Sequence, residues 1–427
     1  MSEFTAVDLF AGAGGFSEGF RRAGFDVVAY VESDMYASET LRTRHQFWQL
    51  SGGEGTRRYW DYLEGKIAKD EFRKVIEGND PVINITLKED TLPFVTEKIK
   101  EILLNSRRNK VDVLIGGPPC QAYSHIGRAR DRGRMLNDPR RFLYKYYVHF
   151  LNALNPSVFV FENVPGLLTV DGGSFFGKLI DEFRHAGYSV DFRPHVLDSF
   201  DFGVLQHRKR VVIIGWHESK SLSYPEFQKV HSNYRVIELL SDLPPIEPGR
   251  SLSEDYFGPP TGYLKDTKIR ILSDRLTQHD TRPLREVDRE IYRYVINIWD
   301  TEKRRVRYSE LPEHLKSHKN TESFQDRFKV IASDLEYAQS VVAHLAKDGH
   351  YFIHPCVKQA RSISVREAAR LQSFPDNYYF EGGGLQRYRQ IGNAVPPLMA
   401  EKIARKIKEL LVSYESSGSS SSMVCKK

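Results

Sequence analysis

Two residues, a cysteine and a glutamate, sit where chemistry could be done. Cys120 is the fifth residue of the run Gly116-Gly117-Pro118-Pro119-Cys120-Gln121, which directly follows the apolar stretch Val111-Asp112-Val113-Leu114-Ile115. The apolar stretch reads as a short buried strand, and the turn beyond it is stiff: glycines allow a tight bend and prolines then fix φ. A thiol held on such a support suits a nucleophile better than a packing residue. The second apolar run, Ser157-Val158-Phe159-Val160-Phe161, leads into Glu162-Asn163-Val164-Pro165-Gly166. Catalytic groups of open parallel sheets gather at the carboxyl ends of the strands, so Cys120 and Glu162 should face one crevice. A carboxyl group there can hold or donate a proton. Glu162 could instead cap the following turn, but Asn163 can do that without a charge.

A third constellation opens the chain. The strand expected over Phe4 to Phe10 runs straight into Ala11-Gly12-Ala13-Gly14-Gly15, and a helix from Phe16 to Ala23 follows, ended by Gly24. The next apolar run, Val27 to Val31, finishes in Glu32. A glycine-rich strand-to-helix turn with an acid after the second strand binds nucleosides, because the glycines admit the ligand and the carboxylate accepts from ribose hydroxyls. Gly12, Gly14 and Gly15 do not make the dinucleotide spacing G-x-G-x-x-G. A nucleoside without a pyrophosphate fits better, which disfavours a nicotinamide dehydrogenase.

Taken together these segments resemble the cytosine-5 DNA methyltransferase family. Asp8-Leu9-Phe10-Ala11-Gly12-Ala13-Gly14-Gly15-Phe16 is similar to its cofactor signature, Pro118-Pro119-Cys120-Gln121 to its catalytic loop, and Phe161-Glu162-Asn163-Val164 to its carboxylate segment. Gln206-His207-Arg208-Lys209-Arg210 matches Gln-x-Arg-x-Arg, residues 361–375 resemble the helix that braces the recognition region, and residues 390–397 resemble the closing segment of the cofactor pocket. The resemblance implies S-adenosyl-L-methionine as methyl donor. Phe10, Ala11, Gly12, Gly14, Gly15 and Pro118 would form its pocket, Glu32 would hold the ribose, and Asn393 and Ala394 would close the methionine side. Leu143 reads equally as an adenine contact or a core leucine. Departures are few: Leu205 stands where the family usually has proline, and the usual acid for the adenine amino group has no clear counterpart, Asn84 being the nearest candidate.

The implied reaction begins with Cys120 thiolate adding to C6 of cytosine, which makes C5 nucleophilic. Glu162 would protonate or hydrogen-bond N3, while Arg208 and Arg210 orient that carboxylate and the base carbonyl. A stacked base is out of reach, so the target cytosine must be flipped out of double-stranded DNA. Arg128, Arg130, Arg132 and Arg134 follow the cysteine, interspersed with Gly127 and Gly133, and read as a loop closing over phosphates. Gln121 and Ser124 are further candidates for DNA contact, Gln121 touching the target base or filling its vacated space. Lys303 to Arg307 could touch phosphate or simply face water.

The elements that must position these groups alternate strand and helix from residue 4 to about 215, an α/β sheet of the methyltransferase Rossmann-like type with helices on both faces. Near Trp216 the alternation fails. The expected organisation is a catalytic domain over 1–216, a smaller target-recognition domain over 217–351, a returning catalytic part over 352–415, and a disordered tail over 416–427. A helix is expected over Ser174 to Ala186, another opening at the capping box Ser364-x-x-Glu367, and a last one from Leu398 to Leu411. Residues 46–81 look like an insertion of unassigned role.

Composition agrees. The chain of 427 residues carries a net charge of +6, mildly basic as suits a nucleic-acid binder. Its three cysteines form no C-x-x-C pair, which argues against a disulfide framework and a structural zinc. Zinc deaminases also act on cytosine, but Pro119-Cys120-Gln121-Ala122-Tyr123 lacks their second cysteine. With no export signal or membrane-length apolar run, the expected setting is reducing, cytoplasmic and nucleoid-associated, and the expected state is a monomer. The compact length fits the restriction-modification or the solitary bacterial type; in the first case a cognate restriction endonuclease would act separately. Alternatives are a transfer-RNA cytosine methyltransferase sharing this core, and a silent DNA-binding relative, against which Cys120 and Glu162 both stand.

Overall fold

The computed structural model describes residues 4–50, 54–74, 79–119, 142–230, 232–252, 255–316 and 325–422. Thr5–Leu9 (β1) is buried at every position, as a strand covered on both faces must be. The chain continues through α1 (Gly15–Arg22), β2 (Asp26–Glu32), α2 (Met35–Gln49), α3 (Glu54–Leu63), α4 (Lys69–Arg73), β3 (Val82–Asn84), α5 (Leu92–Asn105) and β4 (Val113–Gly116). Then come α6 (Leu143–Leu154), β5 (Val158–Asn163), α7 (Ser174–His185), β6 (Tyr188–Val190), β7 (Val196–Asp198) and β8 (Lys209–His217). The later part holds β9 (Ser251–Leu252), α8 (Gly262–Asp266), β10 (His279–Asp280), α9 (Glu286–Glu302), α10 (Val365–Leu371), α11 (Gly384–Asn393) and α12 (Pro397–Ser422).

Among the described residues the main sheet has the order β3-β2-β1-β4-β5-β8-β6, with β7 also on β8. Strands β1 to β5 pair in parallel, and β8 runs antiparallel to β5, β6 and β7. Chain order reverses between β1 and β4, so the crevice opens at their carboxyl ends. One face is covered by α5, α6 and α7 through residues such as Ile99, Phe150 and Phe183. The other is covered by α1 and α12 through Phe16, Phe20, Met399 and Ile403. Each such side chain, fully buried, contributes on the order of 1.5–3 kcal/mol.

The elements differ from the sequence expectation at two ends. Strand β5 does not stop at Phe161: its antiparallel neighbour keeps pairing, Glu162 opposite Val212 and Asn163 opposite Val211, so Glu162 is fixed by a ladder rather than placed on a loop. The last helix does not stop at Leu411 but continues through Ser422. Tyr414 anchors the extra turns, lying under Lys220 at 4.2 Å and donating to the Ser219 carbonyl at 3.3 Å. Cys425 lies outside the described residues.

Residues 217–351 contribute to several cores. Leu222, Tyr224 and Phe227 pack against the face under α12. Leu239, Leu264, Ile331 and Val341 share a core with Ile363, Leu371 and Ile391 of the returning segment. Helix α9 builds another with Tyr308, Phe328 and Ile353. Within residues 46–81, Tyr62 stacks on Phe72 at 4.4 Å. That segment is tied to the returning chain by Tyr59 donating to the Asn377 carbonyl and Tyr62 to Glu381, each at 2.7 Å. It is a buttress for residues 377–381. Among the described residues no helix is long and apolar enough to cross a membrane.

Candidate active site

A cavity of about 390 Å³ opens at the carboxyl ends of β1, β2, β4 and β5. Its wall includes Phe10, Ala11, Gly12, Gly15, Glu32, Pro118, Leu143, Glu162, Arg210, Asn393 and Ala394, so most of the residues singled out from the sequence converge on one space. Cys120, Gln121, Ser124, Arg128, Arg130, Arg132 and Arg134 lie outside the described residues. The chain leading to them is placed: Gly117, Pro118 and Pro119 line the cavity, and Asn163 Nδ2 donates to the Pro118 carbonyl at 3.2 Å.

Among the described residues, the ion pair that holds Glu162 comes from one side. Arg210 Nε contacts its Oε1 at 2.5 Å. A Cβ on Gly117 would come 2.5 Å from Oε2, so the second oxygen lies against the glycine of the cysteine-bearing turn. A side chain at residue 117 would therefore push the Glu162 carboxylate off its position.

At the opposite wall, Glu32 is clamped by backbone. Gly12 N–H donates to Oε2 and Asp34 N–H to Oε1, each at 2.7 Å. Burial pushes its carboxyl above the ordinary range, against those two hydrogen bonds. Oε1 also accepts from the Ser33 hydroxyl at 3.3 Å, so Oε2 is the oxygen that keeps a lone pair for a ligand hydroxyl. The loop that brings Gly12 there is forced: Phe10 sits at φ 54, a left-handed value costly for a residue with a side chain. Asp8, at the end of the same strand, also lines the cavity and accepts from the Ser17 hydroxyl. Burial pushes its carboxyl up to about 7, Ser17 opposing and Glu32 adding to the shift.

Three assignments need correction. Arg208 is buried away from the cavity; its guanidinium donates to the carbonyls of Val341 and, at 2.8 Å, Gly392. It joins the long connecting segment to the returning chain and is not part of the cavity wall. Its own N–H is held by Asp198 at 3.0 Å, so the turn before β8 sets its direction. Asn84 does not reach the cavity: its amide donates to the Glu32 carbonyl at 3.0 Å and to Ser38 at 2.9 Å. Ile85, Thr86 and Leu87 form that wall instead. Gly14 is the left-handed cap of α1 at φ 77, where a Cβ would meet Leu41 and Tyr378 at 2.8 Å. Its role is packing behind the loop.

Gly15 faces the closing segment, and a Cβ there would lie 2.1 Å from the Val395 carbonyl. Gly15→Ala must push residues 394–395 off the loop. Overpacking of this kind costs about 1–3 kcal/mol, so cofactor affinity should fall by about tenfold or more in isothermal titration. An unchanged affinity would show that the closing segment does not bound the ligand.

The sequence reading did not single out Asp8, Asp34 or Arg389, all of which line the cavity. Asp8 stood inside the quoted motif, and the signal was its position near the end of the strand that runs into the glycine-rich turn. Gln206 is a further residue with an unforeseen role. It donates to the Leu371 carbonyl at 2.7 Å and to Gln372 at 3.0 Å, and accepts from Val341 N–H at 2.9 Å.

A reversed-order parallel sheet, with an acid-clamped nucleoside-sized cavity and a second carboxylate beside a proline turn, defines a group-transfer enzyme of the Rossmann-like methyltransferase class. The profile of the C-5 cytosine-specific DNA methylases matches residues 4–78 and 74–409. The chain is 39% identical over 443 residues to the type II methyltransferase M.Bpa9945I of Bacillus paralicheniformis, covering 95% of this chain and 98% of that one. It is 30% identical to the type II methyltransferase M1.HphI of Haemophilus parahaemolyticus, covering 94% and 86%. Among solved structures it superposes on a protein described as a DNA modification methyltransferase encoded within an E. coli prophage, with a TM-score of 0.64, 22% identity, and coverage of 96% and 100%; that likeness concerns the fold. The chain belongs to the C-5 cytosine-specific DNA methylase family and is a DNA (cytosine-5) methyltransferase.

Proposed function

We propose that the enzyme transfers the methyl group of S-adenosyl-L-methionine to carbon 5 of a cytosine flipped out of a specific double-stranded DNA sequence, through a Cys120 adduct at C6. The observation that carries the reading is the shared cavity: a clamped ribose-type acid on one wall, and on the other a carboxylate with one oxygen turned to the base of the cysteine loop. The residues fit the cofactor. Glu32 offers a lone pair for a ribose hydroxyl, Phe10, Ile85 and Leu87 offer apolar surface for a purine, and Asp8 offers a carboxyl to the cationic half.

When bound, S-adenosyl-L-methionine supplies an electrophilic methyl group. Arg210 fixes Glu162 Oε1, leaving Oε2 to share a proton with cytosine N3 as the Cys120 thiolate adds to C6. Charge then builds at C5, which takes the methyl group. Loss of the C5 proton expels the thiolate and restores the ring. Residues 217–351 read the target sequence as a recognition domain between the two catalytic parts, the arginines 128, 130, 132 and 134 close over DNA phosphates, Gln121 touches the target base or fills the space it leaves, and Ser124 is a further DNA contact. The enzyme acts as a monomer in the bacterial cytoplasm, at the nucleoid, alongside a separately acting cognate endonuclease.

The test is expression in a methylation-free bacterial host, with 5-methylcytosine mapped across the genome and Glu162→Ala as control. Methylation confined to one short motif, and absent in the control, is the expected result. A blank map with well-folded protein would overturn the DNA substrate and direct the search to host RNA.

A further inference from the structure

The adenosine end of the cavity holds a cation that the reaction does not use. Arg389 lies on α11, one helical turn before Asn393, and both line the cavity. Its guanidinium pairs with Asp34 Oδ2 at 2.5 Å. Asp34 is itself rigidly held: its Oδ1 accepts from Tyr36 N–H at 2.9 Å and Ala37 N–H at 3.0 Å, capping α2. The Asp34 backbone N–H is also the group that clamps Glu32 Oε1. One short chain of bonds thus runs from Gly12 through Glu32 and Asp34 to Arg389, across two opposing walls.

Among the described residues, four acids line this cavity, Asp8, Glu32, Asp34 and Glu162, with two cations, Arg210 and Arg389. Arg210 is committed to Glu162. Arg389 stands beside the ribose acid and is half-exposed, so its ion pair adds little to folding. A guanidinium is a flat, weakly hydrated surface that stacks on aromatic rings while its edge hydrogen-bonds to an anion. With Asp34 occupying one edge, the face is left for a ring.

We propose that Arg389 is a specificity-determining residue for the adenosine half of the cofactor, its guanidinium held by Asp34 so that the plane closes over the purine and ribose. The proposal rests on reading the cavity as the S-adenosyl-L-methionine pocket. It differs from a carboxylate-binding role, in which Arg389 would serve the amino-acid end.

The experiment is calorimetric titration of full-length protein with S-adenosyl-L-methionine and with 5′-methylthioadenosine, which keeps the adenosine and the sulfur but lacks the amino acid. Arg389→Met should weaken both ligands by the same factor, about tenfold. Arg389→Lys, which keeps the charge but not the plane, should not restore binding. Asp34→Asn retains a capping side chain and should give a smaller loss for both ligands. Melting temperatures of the unliganded variants should match wild type, separating a contact from a folding defect. Unchanged affinities would overturn the proposal, and so would a loss confined to S-adenosyl-L-methionine, which would assign Arg389 to the carboxylate. Wild-type protein that binds neither ligand would instead overturn the pocket reading beneath it.

Discussion

Cys120→Ser is expected to abolish methyl transfer while leaving S-adenosyl-L-methionine affinity within about twofold, since the cofactor walls are built by other residues. The asymmetry is chemical. A free thiol is a few per cent ionised near neutral pH and its thiolate is strongly nucleophilic, whereas a serine hydroxyl has no comparable anion without an adjacent base. The described residues beside the proline turn, Glu162 and Asn163, provide no such base: Glu162 is tied to Arg210 and the Asn163 amide to Pro118. Glu162→Gln is the graded companion. It keeps the shape against Gly117 but donates no proton, and should lower kcat by about 10²–10⁴ with cofactor affinity intact. Single-turnover assays on the mapped DNA motif check both. Appreciable turnover by Cys120→Ser would overturn the nucleophile assignment, and a Gln variant as fast as wild type would remove Glu162 from the proton step.

Much of this site was legible because its parts are local. Short apolar runs bounded by Gly-Pro or Glu-Asn signals fixed where β4 and β5 deliver their loops, and the spacing from the glycine turn to Glu32 needs only one strand-helix-strand unit. What escaped depends on contacts far apart in the chain. Arg208 bonds residues 133 and 184 positions away, so its motif gave the residue type but not its direction. Arg210, two residues on and inside β8, follows the pleat and reaches Glu162. Asn84 was placed at the right strand end, but the pull of the Glu32 carbonyl and Ser38 turns its amide along the wall rather than into the cavity. Residues 46–81 gave no functional signal because their aromatics serve packing. The extension of α12 past a serine-rich stretch depends on Lys220 and Ser219, which no local pattern announces.

Asp8 makes the second large effect, because its carboxyl is buried beneath the glycine-rich loop, where the Ser17 hydroxyl donates to it. The folded protein raises this group from 3.8 to about 7. Below pH 3.8 it is protonated in both states and folding loses nothing. As pH rises toward 7 the unfolded chain gives up the proton first, so stability falls through that window and levels off above it. The integrated loss is about 4 kcal/mol. Asp8→Asn keeps the acceptor for Ser17 and cannot ionise. Its stability advantage over wild type should therefore be small at pH 4, grow steadily to pH 7 and stay constant at pH 8, as read from urea midpoints across that range. Parallel curves for the two proteins would overturn the assignment. A cationic ligand in the cavity favours the ionised carboxyl, so cofactor binding by wild type near pH 6.5 should release part of a proton into the buffer. Titrations in buffers of different ionisation enthalpy measure that release directly, and Asp8→Asn should lose Asp8's share of it. Equal proton release from both proteins would place the titrating group elsewhere in the cavity.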